Sequence, residues 1–235
     1  IDQYLTEVER LEMPFAIHLD RCLTATTDKL RGHKLCIGYT EQKEGGKEFD
    51  ETQKQGAFDL IVSQGFDWAM AWDIDETYER KAPEKLCMIS QLDADAVRIP
   101  LVHLWGDAHH IRIGGRFTQA NGWRDKFYRL KINKWGFSPT VNSALLSGSI
   151  RVRKDRPASG KFAASDLICI HWGTMTEELR TIHKERWDKI WNTIAGKKLE
   201  YFWDEALIEA TTDSIIEFDA NNPGNTHHNY GLYGL

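Results

Sequence analysis

Short apolar strands alternate with helical patterns over the first 80 residues, and this order restricts the chain to a small set of folds. The patterns are helical at 1–11, strand-like at 15–20 and 34–40, helical at 50–65 and strand-like again from 67. Such alternation indicates an α/β fold with a mainly parallel sheet flanked by helices. Ligands bind these sheets beyond the carboxyl ends of the strands. Acids lie at two such ends, Asp20 and the stretch from Asp73 to Glu76, so we expect a binding site there.

The second half of the chain has a less regular pattern. Strand-like runs occur at 98–105 and 166–172, and the turn-rich segment 221–235 is predicted to be irregular. Thr174 and Glu177 have the spacing of a capping box, which predicts a long helix from Thr174 to Gly196. The hydroxyl-rich stretch 24–30 is predicted to be a turn after the first strand.

The composition is that of a soluble globular chain with a substantial core. Hydrophobic residues make up 41% of the 235 residues, and no apolar run is long enough to span a membrane. The first residues lack the basic and then apolar pattern of a secretory signal. Cys22, Cys36, Cys87 and Cys169 are scattered without a C-x-x-C pair. They fit reduced thiols, and we expect a cytoplasmic protein.

Positive charge is concentrated in one part of an acidic chain. The formal net charge is −5, but residues 111–161 hold twelve Lys and Arg against two Asp, which gives +10. Arg124, Lys126 and Arg129 are interleaved with aromatic residues that include Trp123. Basic and aromatic side chains together can grip phosphates and stack bases, which predicts an acceptor surface for nucleic acid or another anionic polymer. The alternative is an ordinary solvated basic face.

Three carboxylates follow the apolar run at 69–72 within four positions, at Asp73, Asp75 and Glu76. Repelling acids in such a place need a positive group among them. On an extended strand end, Asp73 and Asp75 would point to the same side and could share a hard cation such as Mg²⁺ or Mn²⁺. Such a cation neutralises the diphosphate that leaves during sugar transfer from a nucleotide sugar. The alternative is a solvated acidic turn.

Three segments together resemble the GT-A glycosyltransferases of the family 2 type: FAIHLD at 15–20, DWAMAWDIDE at 67–76 and HWGTMTEELR at 171–180. The resemblance covers residues 15–191 and implies a GT-A-like, Rossmann-type sheet and a metal-dependent glycosyltransferase. Its donor would be a nucleotide-diphosphate sugar, with a UDP-sugar as the first expectation. The resemblance assigns the nucleoside to Asp20, and the metal and diphosphate to Asp73, Asp75 and His171.

Domain boundaries follow from the same resemblance. Residues 1–196 would form the catalytic domain, with the nucleotide-sugar half at 1–80 and the acceptor half at 81–196. Residues 197–235 would be a C-terminal extension. No strand precedes the first helix, where the family has its first nucleotide-binding strand, which suggests a trimmed N-terminus.

The catalytic base is sought among the carboxylates after the later strands, because an inverting transferase must deprotonate the acceptor hydroxyl. Asp107 follows a strand and a Trp-Gly turn, where the family often places this acid, and it is the expected base. The alternative is a turn-forming Asp in a W-G-D-A loop.

Other functions remain open from the sequence. His103, Asp107, His109 and His110 carry ligand-type side chains that would suit the zinc of a hydrolase. A non-catalytic nucleic-acid or carbohydrate-binding domain is a further class, in which the acidic turn is solvated surface. Individually, His171 could be a hydrogen-bonded core histidine, and Asp20 could cap the following helix.

Overall fold

The computed structural model divides the chain into two units. Unit 1 comprises residues 1–72, 92–97 and 125–163, and unit 2 comprises 73–91, 98–124 and 164–235. The described residues are 1–20, 24–42, 51–112, 123–130, 135–136, 151–152, 161–182, 185 and 215–217. Both units are assembled from separate stretches of chain, whereas the predicted halves at 1–80 and 81–196 are each continuous. The predicted extension at 197–235 lies outside the described residues, apart from 215–217.

Unit 1 begins with three helices and a parallel strand pair. Its first elements are α1 (Asp2–Leu11), β1 (Phe15–Asp20), α2 (Thr24–Arg31), β2 (Cys36–Gln42) and α3 (Glu51–Ser63). α1 ends where Glu12 adopts a left-handed φ of 51°, two residues before Pro14. The residues of α1, β1 and α2 share one core, formed by Tyr4, Leu5, Val8, Phe15, Leu19 and Leu30. The predicted first helix and the strands β1 and β2 are confirmed.

The rest of unit 1 contains antiparallel pairs and a second core. β3 (Trp68–Met70) pairs antiparallel with β7 (Trp123–Arg129), whose residues from Asp125 onward belong to unit 1, and Ala69 lies beside Tyr128. Two short strands, β8 (Trp135–Gly136) and β9 (Arg151–Val152), form another antiparallel pair. The buried residues of this core are Phe58, Ala69, Ala96, Tyr128 and Leu130.

Unit 2 contains the strands that position the candidate site. Its elements are β4 (Glu76–Tyr78), α4 (Ala82–Ser90), most of β5 (Ala96–His103), β6 (His110–Arg112), the end of β10 (Phe162–Ala164), β11 (Cys169–His171) and β12 (Ile215–Glu217). β11 lies between β5 and β4, parallel to β5 and antiparallel to β4. The buried apolar core consists of Val102, Leu104, Ile111, Ile168 and Ile170.

The fold is mixed α/β, and its strand pairing is mixed as well. β1 with β2 and β5 with β11 are parallel pairs. The pairs β3 with β7, β4 with β11, β6 with β12, and β8 with β9 are antiparallel. The prediction of a mainly parallel sheet is therefore wrong. Apolar runs indicate where strands lie, but a buried run packs equally well in either direction.

Two segments differ in secondary structure from the prediction. The expected turn at 24–30 is helix α2, because Thr27 and Leu30 are buried three residues apart on one side of it. The helix expected to start at Thr174 begins at residue 177. Its cap is Thr176, whose Oγ1 accepts from the N–H of Leu179 at 3.2 Å. Of the remaining positions of the predicted helix, 183–196, only residue 185 is described, and it is also helical.

No helix within the described ranges combines the length and the apolar character that a membrane span requires. Cys36, Cys87 and Cys169 form no disulfide with one another, and Cys22 lies outside the described residues.

Candidate functional site

The acidic stretch forms a tight turn at the start of β4. Residues 74 and 75 make the turn, and the N–H of Glu76 donates to the carbonyl of Asp73 at 3.1 Å. The Glu76 carboxylate reaches back and accepts from the N–H of Asp73 at 3.0 Å. Glu76 is only 1% exposed, so it supports the turn. The expectation that Asp73 and Asp75 extend a single strand is wrong, because the chain turns between them.

Asp75 is bound to the end of strand β11 through its backbone and its side chain. Its carbonyl accepts from the N–H of Trp172 at 2.8 Å, and its Oδ2 lies 3.2 Å from Nε2 of His171. The Trp172 indole N–H donates to Thr77 Oγ1 at 2.7 Å, which ties the same two segments together again. Asp75 and His171, which lie far apart in the sequence, are thus brought together as the sequence analysis expected.

Gly173 leaves the space into which Asp75 and His171 fit. A Cβ atom at position 173 would lie 2.7 Å from Cε1 of His171 and 3.1 Å from its Nε2. It would lie closer still to Oδ2 of Asp75. These separations are too short for any side chain, so glycine is required for the observed approach of the carboxylate to the imidazole.

A second histidine, His103, holds the other side of the His171 ring. The two Nδ1 atoms are 3.2 Å apart, and the ring centroids are 4.8 Å apart. The residues are register partners at the ends of the parallel strands β5 and β11. Sequence reasoning assigned His103 only to a zinc hydrolase. The signal that could have found this pair was present, because both residues follow apolar runs and the carboxyl ends of parallel strands meet.

Electrostatics favour a positive charge at His171. Burial of the imidazole opposes its protonation, but the hydrogen bond to Asp75 and the negative charges of Asp75, Glu76 and Asp73 outweigh burial and raise the pKa of His171. His171 is 9% exposed. The neighbouring carboxylates therefore favour a positive charge at this position, which the imidazolium of His171 supplies beside Asp75.

The donor atoms suit a divalent transition-metal ion. Neighbouring ligands of an octahedral ion lie about 3 Å apart, close to the 3.2 Å between Asp75 Oδ2 and His171 Nε2. A carboxylate with an imidazole suits Mn²⁺ better than Mg²⁺. Among the described residues, no group of three or more His, Cys, Asp or Glu side chains is arranged to hold a metal. Other ligands would come from substrate phosphates and water.

Asp107, the expected base, lies in an exposed turn between β5 and β6. Its Oδ1 accepts from the N–H of His109 at 2.7 Å and lies 2.8 Å from Nδ1 of His110. The hydrogen bonds from His110 and from the backbone of His109 lower the pKa of Asp107. Its carboxylate is therefore ionised at neutral pH and stabilises the turn. These contacts are the ones expected of a turn-forming Asp in a W-G-D-A loop.

The residues of the zinc alternative do not converge. Asp107 contacts His110, whereas His103 contacts His171. All four proposed ligands lie in described ranges, where no metal-binding group of three is found. Among the described residues, the four side chains therefore do not form a set of ligands for the zinc of a hydrolase.

The Asp107 loop is attached to the segment that follows His171. Gly106, at a φ of 85°, donates its N–H to the carbonyl of Met175 at 2.7 Å. Thr174 Oγ1 donates to the carbonyl of Leu104 at 3.0 Å. The guanidinium carbons of Arg112 and Arg180 lie 4.5 and 4.4 Å from the centroid of the Trp105 ring. These contacts hold the loop and the segment in one place.

Asp20, Lys126 and Arg129 belong to unit 1, whereas Trp123 and Arg124 belong to unit 2. Asp20 is the last residue of β1, but its side chain is outside the described part of the structure, as is that of Trp123.

The predicted acceptor residues of β7 differ in their exposure. Arg124 is exposed, but Lys126 is only 6% exposed. The Arg129 guanidinium donates to the carbonyls of Ala94, at 2.7 Å, and Leu92. It also lies over the ring of Trp68. Lys126 and Arg129 are therefore engaged inside unit 1, and only Arg124 remains exposed among the three.

Comparison with known proteins gave no assignment, since no protein-family model and no functionally curated protein matches this chain. The resemblance to GT-A glycosyltransferases therefore remains a hypothesis that depends on the residues described above.

Proposed function

We propose that this chain is a metal-dependent, GT-A-like glycosyltransferase that moves a sugar from a nucleotide-diphosphate sugar to an acceptor. The observation that carries the proposal is the pair of Asp75 Oδ2 and His171 Nε2 at 3.2 Å, in a space that the missing side chain of Gly173 leaves open. The missing side chain of Gly173 lets the carboxylate oxygen and the imidazole nitrogen approach as two neighbouring ligands of one ion would.

The residues of the site would act by binding and positioning. Asp75 would supply an oxygen ligand and His171 a nitrogen ligand to Mn²⁺, while Glu76 keeps the turn closed through the N–H of Asp73. Bound Mn²⁺ would neutralise negative charge on the departing diphosphate. Asp73, which is exposed at the start of the turn, is the second proposed carboxylate. Asp20 is the proposed nucleoside contact, on the resemblance alone.

Asp107 is the proposed base for the acceptor hydroxyl. It is ionised, exposed and held by hydrogen bonds, and its loop is bonded to Met175 near the end of β11. A carboxylate with a lowered pKa is a weaker base, so its proposed contribution rests on position more than on basicity.

The competing proposal is a non-catalytic carbohydrate-binding or nucleic-acid-binding domain. The solvent-exposed Arg124 favours it only slightly, because Lys126 is buried and Arg129 donates to backbone carbonyls. An anionic polymer is therefore kept as one of several possible acceptors rather than as part of the main proposal.

Thermal unfolding with a panel of nucleotide sugars, with and without Mn²⁺, separates the two proposals. A glycosyltransferase should be stabilised by Mn²⁺ and one nucleotide-diphosphate sugar together by more than by either alone. At a ligand concentration of about 100 Kd the stabilisation is about 2.7 kcal/mol, or about 5–10 °C for a chain of this size. Release of nucleoside diphosphate, measured in the same mixtures, reports turnover.

Three variants make the experiment specific. Asp75→Asn and His171→Gln should each abolish the joint stabilisation and turnover while the protein stays folded. Asp93→Asn is the matched control, since it removes an exposed carboxylate of unit 1 whose partner is Lys161. Sugar binding that is independent of Mn²⁺, without turnover, would favour the binding domain. A His171 variant that unfolds would favour the core-histidine alternative.

A further inference from the structure

We infer that His103 is a positioning residue that fixes the tautomer and orientation of His171, so that Nε2 of His171 faces Asp75 as a metal ligand. The inference rests on the proposed function, because it assigns a role to a second histidine at the same metal site. It adds a residue that the family resemblance does not supply.

The geometry begins with the two facing nitrogens. Nδ1 of His103 and Nδ1 of His171 are 3.2 Å apart, so a hydrogen bond between them requires one ring to donate and the other to accept. His171 is buried, and a buried polar group must be hydrogen-bonded. The hydrogen bond to His103 therefore determines whether Nδ1 of His171 carries a proton when Nε2, which faces Asp75, gives up its own proton to a metal.

The opposite side of the His171 ring sets the direction of this hydrogen bond. A metal at Nε2 requires the lone pair of that atom, so the ring must carry its proton on Nδ1 and donate it to His103. Metal-bound histidines commonly donate their other ring N–H in this way, and loss of the acceptor lowers metal affinity about 10–100-fold. Within the described site, His103 is in the position of that acceptor.

The strands hold the pair in register. His103 ends β5 and His171 ends β11, and they are direct partners across these parallel strands. The preceding residues of both strands, Val102 and Ile170, are buried in one apolar core. The backbone positions of both histidines are thus fixed by packing, and the hydrogen bond only has to orient the rings.

Two substitutions of His103 distinguish its role as acceptor of the His171 proton from a role in packing alone. His103→Asn places an oxygen acceptor where Nδ1 was, whereas His103→Leu keeps an apolar side chain of similar size without an acceptor. Isothermal titration with Mn²⁺ alone measures the affinity of wild type and both variants, and urea unfolding measures their stability. We expect the Leu variant to bind Mn²⁺ about 10–100-fold more weakly and the Asn variant to stay within about threefold of wild type.

The outcomes that overturn the inference are distinct from those that overturn the function. Equal Mn²⁺ affinity in wild type and the Leu variant, or equal losses in both variants, would overturn the positioning role and leave the metal site intact. A wild type that binds no Mn²⁺ would overturn both.

A measurement on the wild-type protein covers the case in which the Leu variant does not fold. Long-range ¹H–¹⁵N correlation spectra distinguish the two nitrogens of His171 before and after saturation with Zn²⁺, a diamagnetic ion that accepts imidazole nitrogen. The inference expects a protonated Nδ1 and an unprotonated Nε2 once Zn²⁺ is bound. A proton that stays on Nε2 in the presence of bound Zn²⁺ would overturn it.

Discussion

Gly173→Ala is the substitution that tests the geometry of the site most sharply. An added Cβ would lie 2.7 Å from Cε1 of His171 and closer still to Oδ2 of Asp75. Ordinary van der Waals contacts of a Cβ atom are 3.4–4 Å long. The imidazole carbon must therefore move by about 0.7 Å or more, and the Asp75 carboxylate oxygen must move further, so the two ligand atoms can no longer face one another.

The loss should fall on metal binding more than on stability. The Asp75 side chain is 36% exposed and can swing towards solvent, so overpacking should lower the free energy of unfolding by only about 1–2 kcal/mol. Misplacement of a reacting group by about 1 Å lowers rates by about 100-fold. We therefore expect a fall of about 100-fold or more in turnover, together with a marked loss of Mn²⁺ affinity.

Titration calorimetry with Mn²⁺, urea unfolding and nucleotide release measure the three quantities. Gly56→Ala is the matched control: its added Cβ would meet only Cγ2 of Thr40, at 3.0 Å, within unit 1. It should leave Mn²⁺ affinity and turnover unchanged. A Gly173→Ala variant with wild-type Mn²⁺ affinity and turnover would refute the reasoning, because the two ligand atoms would then not need the observed approach.

Three further substitutions test the turn, the basic strand and the proposed base. Glu76→Ala should lower the free energy of unfolding by about 2 kcal/mol in urea titration, because it removes the acceptor for a backbone N–H of the acidic turn; unchanged stability would contradict that role. Arg129→Met should lower the same quantity by about 2–3 kcal/mol, since the guanidinium donates to two carbonyls, whereas a surface role in polymer binding predicts no such loss. Asp107→Asn keeps an acceptor for the His109 N–H and should stay folded, while nucleotide release from the donor in the presence of acceptor should fall about 100-fold or more. Wild-type turnover in Asp107→Asn would show that Asp107 is not the base and only stabilises the turn.

Local elements of the fold could be predicted from the sequence because each has its own pattern. β1 and β2 are apolar runs bounded by polar segments, and α1 buries Tyr4, Leu5 and Val8 at helical spacing. Strand direction could not be predicted, since it depends on which strands become neighbours. The stretch at 24–30 was predicted as a turn because its hydroxyl side chains are typical of turns, and a helix there entered only as one that Asp20 could cap, although Leu30 is fully buried.

The candidate site was partly predictable for a similar reason. Asp75 and His171 both follow strand-like runs, and these positions led to the prediction that both bind the same metal. Their geometry depends on a turn at 74–75 and on Gly173, which no single-residue pattern specifies. His103 follows an apolar run as well, but its contact with His171 also depends on β5 and β11 being register partners, which neither run specifies by itself.

The count of basic residues was a poor guide to the surface. Residues 111–161 carry a net +10, but charge in a sequence does not indicate exposure. Lys126 is buried, and Arg129 is used to bind backbone carbonyls and to pack on Trp68. Long basic side chains can bury their stems and serve the interior of a protein, so composition alone overstated the case for an anionic acceptor.

Direct coordination of Mn²⁺ by His171 is the central claim, and pulsed electron paramagnetic resonance tests it most directly. An electron spin echo envelope modulation spectrum of the Mn²⁺-loaded wild type should show modulation by the ¹⁴N nucleus of a coordinated imidazole. The modulation should disappear in His171→Gln and persist in Asp93→Asn. Bound Mn²⁺ without ¹⁴N modulation in the wild type, or with the same modulation in His171→Gln, would contradict the account.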